Sequence, residues 1–312
     1  MRRGNASRRR RERRERTQRR RDGPEGPQEK EETLISLEDF DELVDGLNHP
    51  EGVAWDPLNG VVYAGGEEGE LYRITLDGAF QRVGSTGGGL LGLAVDGDGR
   101  VYACDDGRGC ISRYDPATGE FDVYGRRDDP LDTPNVAVFD EAGNLYVTCS
   151  GDGGRPEIVR IDPDGAISTW STTVPGYPNG AVVTPDGSAL LVVEAHADRV
   201  ARVPIRDDGS AGEPETFVEL PDTDADGLAL DAEGYLWITL YRPDGLIRAD
   251  GNGKVVQRLD DHLASTLDAP TNITFSGEDL SVAVVANVGG RSVLKADLGV
   301  AGQPLFFPKV RA

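Results

Sequence analysis

The sequence predicts an all-β chain, a six-bladed β-propeller whose blades are four-stranded antiparallel sheets. The first observation is a design that occurs six times: EGVAWDPLNG from Glu51, LGLAVDGDGR from Leu91, NVAVFDEAGN from Asn135, NGAVVTPDGS from Asn179, DGLALDAEGY from Asp226 and TNITFSGEDL from Thr271. Successive copies start 40, 44, 44, 47 and 45 residues apart, the period of a propeller blade. The second is that each copy leads into further β-rich runs. A second strand follows each (VVYAGG, VYACD, LYVTC, LLVVEA, LWITL, SVAVVA), then a third (LYRITL, ISRYD, IVRID, VARVPI, LIRAD, VLKAD). The third is that five copies continue into an outer strand, such as Phe121–Tyr124 or Ile167–Ser171, while the sixth has none after Val293–Ala296. An uncovered outer edge is a liability, so the segment around Phe40–Val44 is expected to supply that strand and close the ring.

In chain order, residues 1–32 are expected to be a separate, disordered Arg-rich tail and residues 33–312 the propeller. Residues 1–22 hold 12 Arg against Glu12, Glu15 and Asp22, a local net of +9, which leaves −31 of the total −22 for the rest. The tail has no aromatic side chain to stack on bases and no accompanying folded module. Nucleic acid is therefore not an expected partner, except through this tail. The body is acidic, and the whole chain carries only four Lys, at 30, 254, 295 and 309. Such a surface repels itself at low ionic strength and is relieved by salt, which suits a salt-rich cytoplasm. No apolar run reaches the ~18 residues of a membrane span, and Arg2-Arg3 is not followed by the apolar run of an export signal. The expected location is cytoplasmic. Oligomeric state is not legible in the sequence.

Cys104, Cys110 and Cys149 contain no CxxC, and buried thiols are expected rather than a disulfide framework. His49, His196 and His262 lack metal-site spacing. Asp222, Asp224, Asp226, Gly227 and Glu233 match a calcium-loop pattern in full. That pattern requires flanking helices, whereas Phe217–Pro221 and Tyr235–Tyr241 read as strands. What survives is Asp226, an acid at the start of an inner strand.

The ring brings the first residues of the six inner strands to one mouth of a central channel. Those residues are Glu51, Leu91, Asn135, Asn179, Asp226 and Thr271. Two carboxylates, two carboxamides and one hydroxyl are the donors of a hard cation such as Ca²⁺, Mg²⁺ or Mn²⁺. Asn-Gly and Asp-Gly also signal tight turns, but the hairpin turns fall elsewhere, at Asp96–Gly99, Asp140–Gly143 and Asp231–Gly234.

Several of these motifs resemble the senescence marker protein (regucalcin)/gluconolactonase family: PEGVAWD at 50–56, PNGAVVTPDG at 178–187, DGLALDAEGYLWIT at 226–239, and the closing LGVAGQPLF at 298–306. The resemblance covers residues 40–308. It implies one divalent cation in the channel, often Ca²⁺ or Zn²⁺, held by Glu51, Asn179 and Asp226. It also implies that Asp226 is the general base and that Asn135 contacts substrate. Sugar-lactonase members carry Arg two residues before that Asn, and here the position is Thr133. The implied activity is opening of a lactone or related small ester. A strictosidine-synthase-like or paraoxonase-like enzyme, or a non-catalytic metal- or partner-binding propeller, are the alternatives.

Overall fold

The computed structural model describes residues 34–125 and 128–310; the Arg-rich segment 1–32 lies outside them. Among the described residues from Ile35 onward, 24 strands form six four-stranded antiparallel sheets, which is the propeller. The inner strands are Val53–Asp56, Leu90–Val95, Pro134–Phe139, Pro178–Val183, Asp224–Leu230 and Pro270–Ser276. The expected closure is present. Phe40–Asp45 pairs antiparallel with Ser292–Ala296 as the outer strand of blade six, with Phe40 opposite Ala296 and Asp45 opposite Ser292. No helix among the described residues is long and apolar enough to cross a membrane.

The core is not one mass but six interfaces, one between each pair of neighbouring blades. Val182, Leu191 and Val200 of blade four meet Leu228, Ile238 and Ile247 of blade five, and Ala137, Val147 and Val159 of blade three meet Tyr102 and Ile111 of blade two. Each sheet is therefore covered on both faces, so the second and third strands read as near-continuous apolar runs instead of alternating. Cys104 and Cys149 are buried in the interface of blades two and three, and none of the three cysteines is in a disulfide among the described residues.

The strand termini depart from the sequence reading in one instructive way. The channel residues do not open their strands; they sit in bulges of them. The ladder with the second strand slips between Leu90 and Leu93, Pro134 and Ala137, Pro178 and Ala181, Ala225 and Leu228, and Pro270 and Asn272. In blade one, Glu51 donates its N–H to Gly65 O at 3.1 Å while Gly65 N–H goes to Gly52 O, also at 3.1 Å, so two residues again face one. A bulge breaks the strict alternation of side chains and re-aims one of them. Here it occurs in every blade at the same height.

At the opposite end, the chain from Gly302 onward crosses the channel. Gln303 N–H bonds Leu230 O at 2.9 Å, and Gly97 N–H bonds Pro308 O at 2.8 Å. Leu305, Phe306 and Phe307 lie under the axis and cap a cavity of about 60 Å³ walled by all six inner strands.

Candidate functional site

Glycines set how closely the inner strands approach around the axis. A Cβ at Gly52 would stand 2.1 Å from the Leu91 carbonyl oxygen, and one at Gly180 would stand 2.0 Å from that of Asp226. The repeated acid-Gly or Asn-Gly pair is thus a packing requirement between blades and not a hairpin turn. Where blade three lacks that glycine, Thr148 Oγ1 reaches across and donates to Asn179 O at 2.8 Å. Thr271 Oγ1 likewise donates to Glu51 O at 2.7 Å. Threonine hydroxyls thus fasten the backbone carbonyls of several channel positions to the preceding blade.

This stitching leaves side chains aimed into the channel. Asn135, Asn179 and Asp226 are buried. Glu51 retains some accessible surface, yet protein surrounds it closely enough to shift its ionisation. Burial pushes the Glu51 carboxyl up to about 7, helped by the negative charge of Glu67. The Asp226 carboxyl is raised well above its ordinary range by burial, then by the charge of Glu51; a hydrogen bond with the Asn179 side chain pulls the other way. The remaining Asn179 atom, Oδ1, is buried with no partner. A buried orphan acceptor beside two desolvated carboxylates is costly unless something positive joins it. Three hard oxygens from Glu51, Asn179 and Asp226 fit a divalent cation that completes its shell with small oxygen ligands. The described residues contain no group of three or more His, Cys, Asp and Glu placed to hold a metal, so a cation here would need the Asn179 carboxamide as its third donor.

Asn135 joins this set indirectly. Its Nδ2 donates to Ser150 Oγ at 3.0 Å, and Ser150 Oγ donates to Pro178 O at 2.9 Å, next to Asn179. Thr133 does not enter the channel group. Its side chain bonds Asp106 at the rim, and its backbone carbonyl accepts from Ser150 N–H at 2.9 Å. Leu91 contributes no polar atom, and the Thr271 hydroxyl is spent on Glu51 O. The sequence reading missed Ser150, which links blades three and four, and Tyr177, whose hydroxyl faces Ser150 and whose pKa is raised by burial and by Asp152 and Asp226. A faint signal for Tyr177 was present: His49-Pro50-Glu51, Thr133-Pro134-Asn135, Tyr177-Pro178-Asn179 and Ala269-Pro270-Thr271 share one pattern.

Fold and site together define a six-bladed propeller with an oxygen-donor centre inside one channel mouth. The chain belongs to the family described as SMP-30/Gluconolactonase/LRE-like region, which matches residues 49–288. It is 27% identical over 245 residues to a pentonolactonase of Haloferax volcanii, covering 77% of this chain and 81% of that protein. Among solved structures it is similar to a calcium-binding protein, regucalcin, from Agrobacterium tumefaciens, with TM-score 0.73 and 22% identity over 87% of this chain and 97% of the other. A gluconolactonase of Xanthomonas campestris aligns with TM-score 0.72 and 21% identity over 85% and 89% of the two chains.

Proposed function

We propose that this chain is a divalent-cation-dependent lactonase that opens a small lactone at the channel mouth, in the cytoplasm. The observation that carries the reading is the unpartnered Asn179 Oδ1 beside the desolvated Glu51 and Asp226 carboxylates, in a family whose relatives include a pentonolactonase. Glu51, Asn179 and Asp226 hold the cation, with Ca²⁺ the best fit to an all-oxygen set and Zn²⁺, Mg²⁺ or Mn²⁺ the competitors. When bound, the cation polarises the lactone carbonyl and stabilises the negative charge that develops on it.

The protein side chains do the rest. Asp226 accepts a proton from the attacking water as its oxygen adds to the carbonyl carbon. The bond from that carbon to the ring oxygen then breaks, and the proton is returned to the departing alkoxide to give a hydroxy acid. Asn179, hydrogen-bonded to Asp226, fixes the carboxylate's orientation. Asn135, tethered through Ser150, contacts the substrate. Thr133 replaces a cationic arm with a neutral hydroxyl turned toward Asp106, which favours an uncharged lactone over an anionic one.

The test is a lactone panel assayed by proton release, with purified protein, in chelator and after Ca²⁺ is restored. Hydrolysis lost in chelator and regained with the ion is the expected result. Full activity in chelator overturns the cation's role. Ca²⁺ binding by calorimetry without turnover of any lactone or ester replaces this reading with that of a binding protein.

A further inference from the structure

Four residues stand immediately before the prolines that lead into channel positions, and all four have left-handed backbones: His49 (φ 44°), Thr133 (φ 54°), Tyr177 (φ 61°) and Ala269 (φ 52°). That region is costly for a residue with a side chain, most of all a bulky one. Glycine would adopt it freely. The repeat imposes that backbone at all four positions, so what distinguishes them is where each side chain goes.

The four side chains have different fates. His49 Nδ1 pairs with Glu67 Oε2 at 2.8 Å on the exposed rim. Thr133 turns to Asp106, and Ala269 has only a methyl group. Tyr177 alone of the four turns its polar atom toward a channel-linked group: its hydroxyl bonds the Ser150 side chain, which in turn accepts from Asn135 Nδ2 and donates to Pro178 O. Its ring is clamped from the side: the His196 ring lies 4.6 Å away at 35°, and Tyr177 also packs against the apolar interface of blades four and five.

The backbone beneath is held just as firmly. Ala195 N–H bonds Tyr177 O at 3.2 Å and His196 N–H bonds Gly176 O at 3.0 Å. Gly176 N–H is accepted by Glu194 Oε1 at 3.0 Å, and Glu194 is itself fixed by Arg199 Nε at 2.7 Å. The group so placed is a neutral hydroxyl beside Ser150, one blade further round the ring than Thr133, whose side chain turns away to Asp106.

We propose that Tyr177 is a specificity-determining residue, whose clamped hydroxyl bonds a hydroxyl of a neutral polyhydroxylated lactone and orients the ring over Asn179 and Asp226. This rests on the lactonase reading and deepens it by naming a residue that distinguishes hydroxylated from plain lactones. A substrate hydroxyl can both donate and accept there, whereas an alkyl lactone leaves the tyrosine without its partner. Such a bond is worth a factor of about 3–10.

The experiment compares wild type with Tyr177→Phe and His196→Ala on a pentono-1,4-lactone and on γ-butyrolactone, with Ca²⁺ affinity measured by calorimetry on each variant. Tyr177→Phe keeps the ring and its packing. The expected result is a roughly 3–10-fold fall in the kcat/KM ratio of the hydroxylated to the plain lactone, mostly through KM, at wild-type Ca²⁺ affinity. His196→Ala, which only loosens the clamp, lowers the same ratio less. An unchanged ratio in Tyr177→Phe overturns the proposal while leaving the lactonase reading intact, as does a ratio that falls only together with Ca²⁺ affinity. Wild type that opens neither lactone takes both down.

Discussion

The two ends of the same six inner strands make opposite use of one architecture. At one end, bulges in every blade turn Glu51, Asn135, Asn179, Asp226 and Thr271 toward the axis, and two of the carboxylates ionise reluctantly. At the other, Trp55, Val95, Phe139, Val182 and Leu228 wall a small apolar cavity that Leu305, Phe306 and Phe307 close off. The same strands and sheets serve both ends. The difference lies in what polar groups cost: burying a carboxylate or carboxamide without full partners opposes folding. The capped end leaves one buried hydroxyl, Thr274 Oγ1, without a partner, whereas the open end gathers a carboxamide oxygen and two carboxylates where chemistry is proposed to occur.

The sharpest way to test this contrast is Asp226→Asn. It keeps an oxygen donor and removes the basic carboxylate. Lactone turnover should fall by about 10²–10⁴, the usual scale of general-base catalysis, with measurable Ca²⁺ affinity retained in calorimetry. An Asp226→Asn protein with wild-type turnover would rule Asp226 out as the base.

A matched pair of packing variants tests whether the ends are separable. Gly180→Ala forces a Cβ onto the Asp226 carbonyl, an overpacking cost of about 1–3 kcal/mol. Phe306→Ala empties part of the cap where blades two to four meet it, a loss of about 2–3 kcal/mol for a partly buried ring. Denaturant unfolding should show comparable destabilisation in both. Ca²⁺ affinity should drop only in Gly180→Ala. Equal loss of affinity in Phe306→Ala would mean that the cap and the centre act as one unit.

The smallest expected effect is one of pH. The raised Glu51 pKa means that the folded, cation-free protein binds this proton more tightly than the unfolded chain does. The stability due to protonated Glu51 is present below the ordinary carboxylate range and is lost as pH rises through about 7. In chelator, wild type should therefore lose about 1–2 kcal/mol relative to Glu51→Gln between pH 5 and pH 8, read from thermal midpoints. Added Ca²⁺ at pH 8 should restore wild type and not the variant. Midpoints that run parallel across this range would show that Glu51 is not desolvated in solution.

Part of this was legible from residues alone. The 40- to 47-residue repeat with its three β-rich runs specified the blades, and the missing sixth outer strand specified the closure by Phe40–Asp45. The reason is that hydrophobic periodicity and turn chemistry are local, and repetition multiplies a weak local signal. Matched register also picked out equivalent positions in the six blades, because equivalent residues of equivalent blades must fall at equal height around an axis.

What each side chain does there was decided only by tertiary structure. Whether Thr133 turns to Asp106 or enters the channel, whether Asn179 Oδ1 finds a partner, and whether Ser150 meets Tyr177 all depend on distances between blades far apart in sequence. The bulges were equally hidden, since a slip of one residue against a neighbouring strand leaves no mark in composition. Local sequence determined the six blades and the ring they close. The approach of one blade to the next, set within a few tenths of an ångström by glycines such as Gly52 and Gly180, determined which of their polar atoms meet.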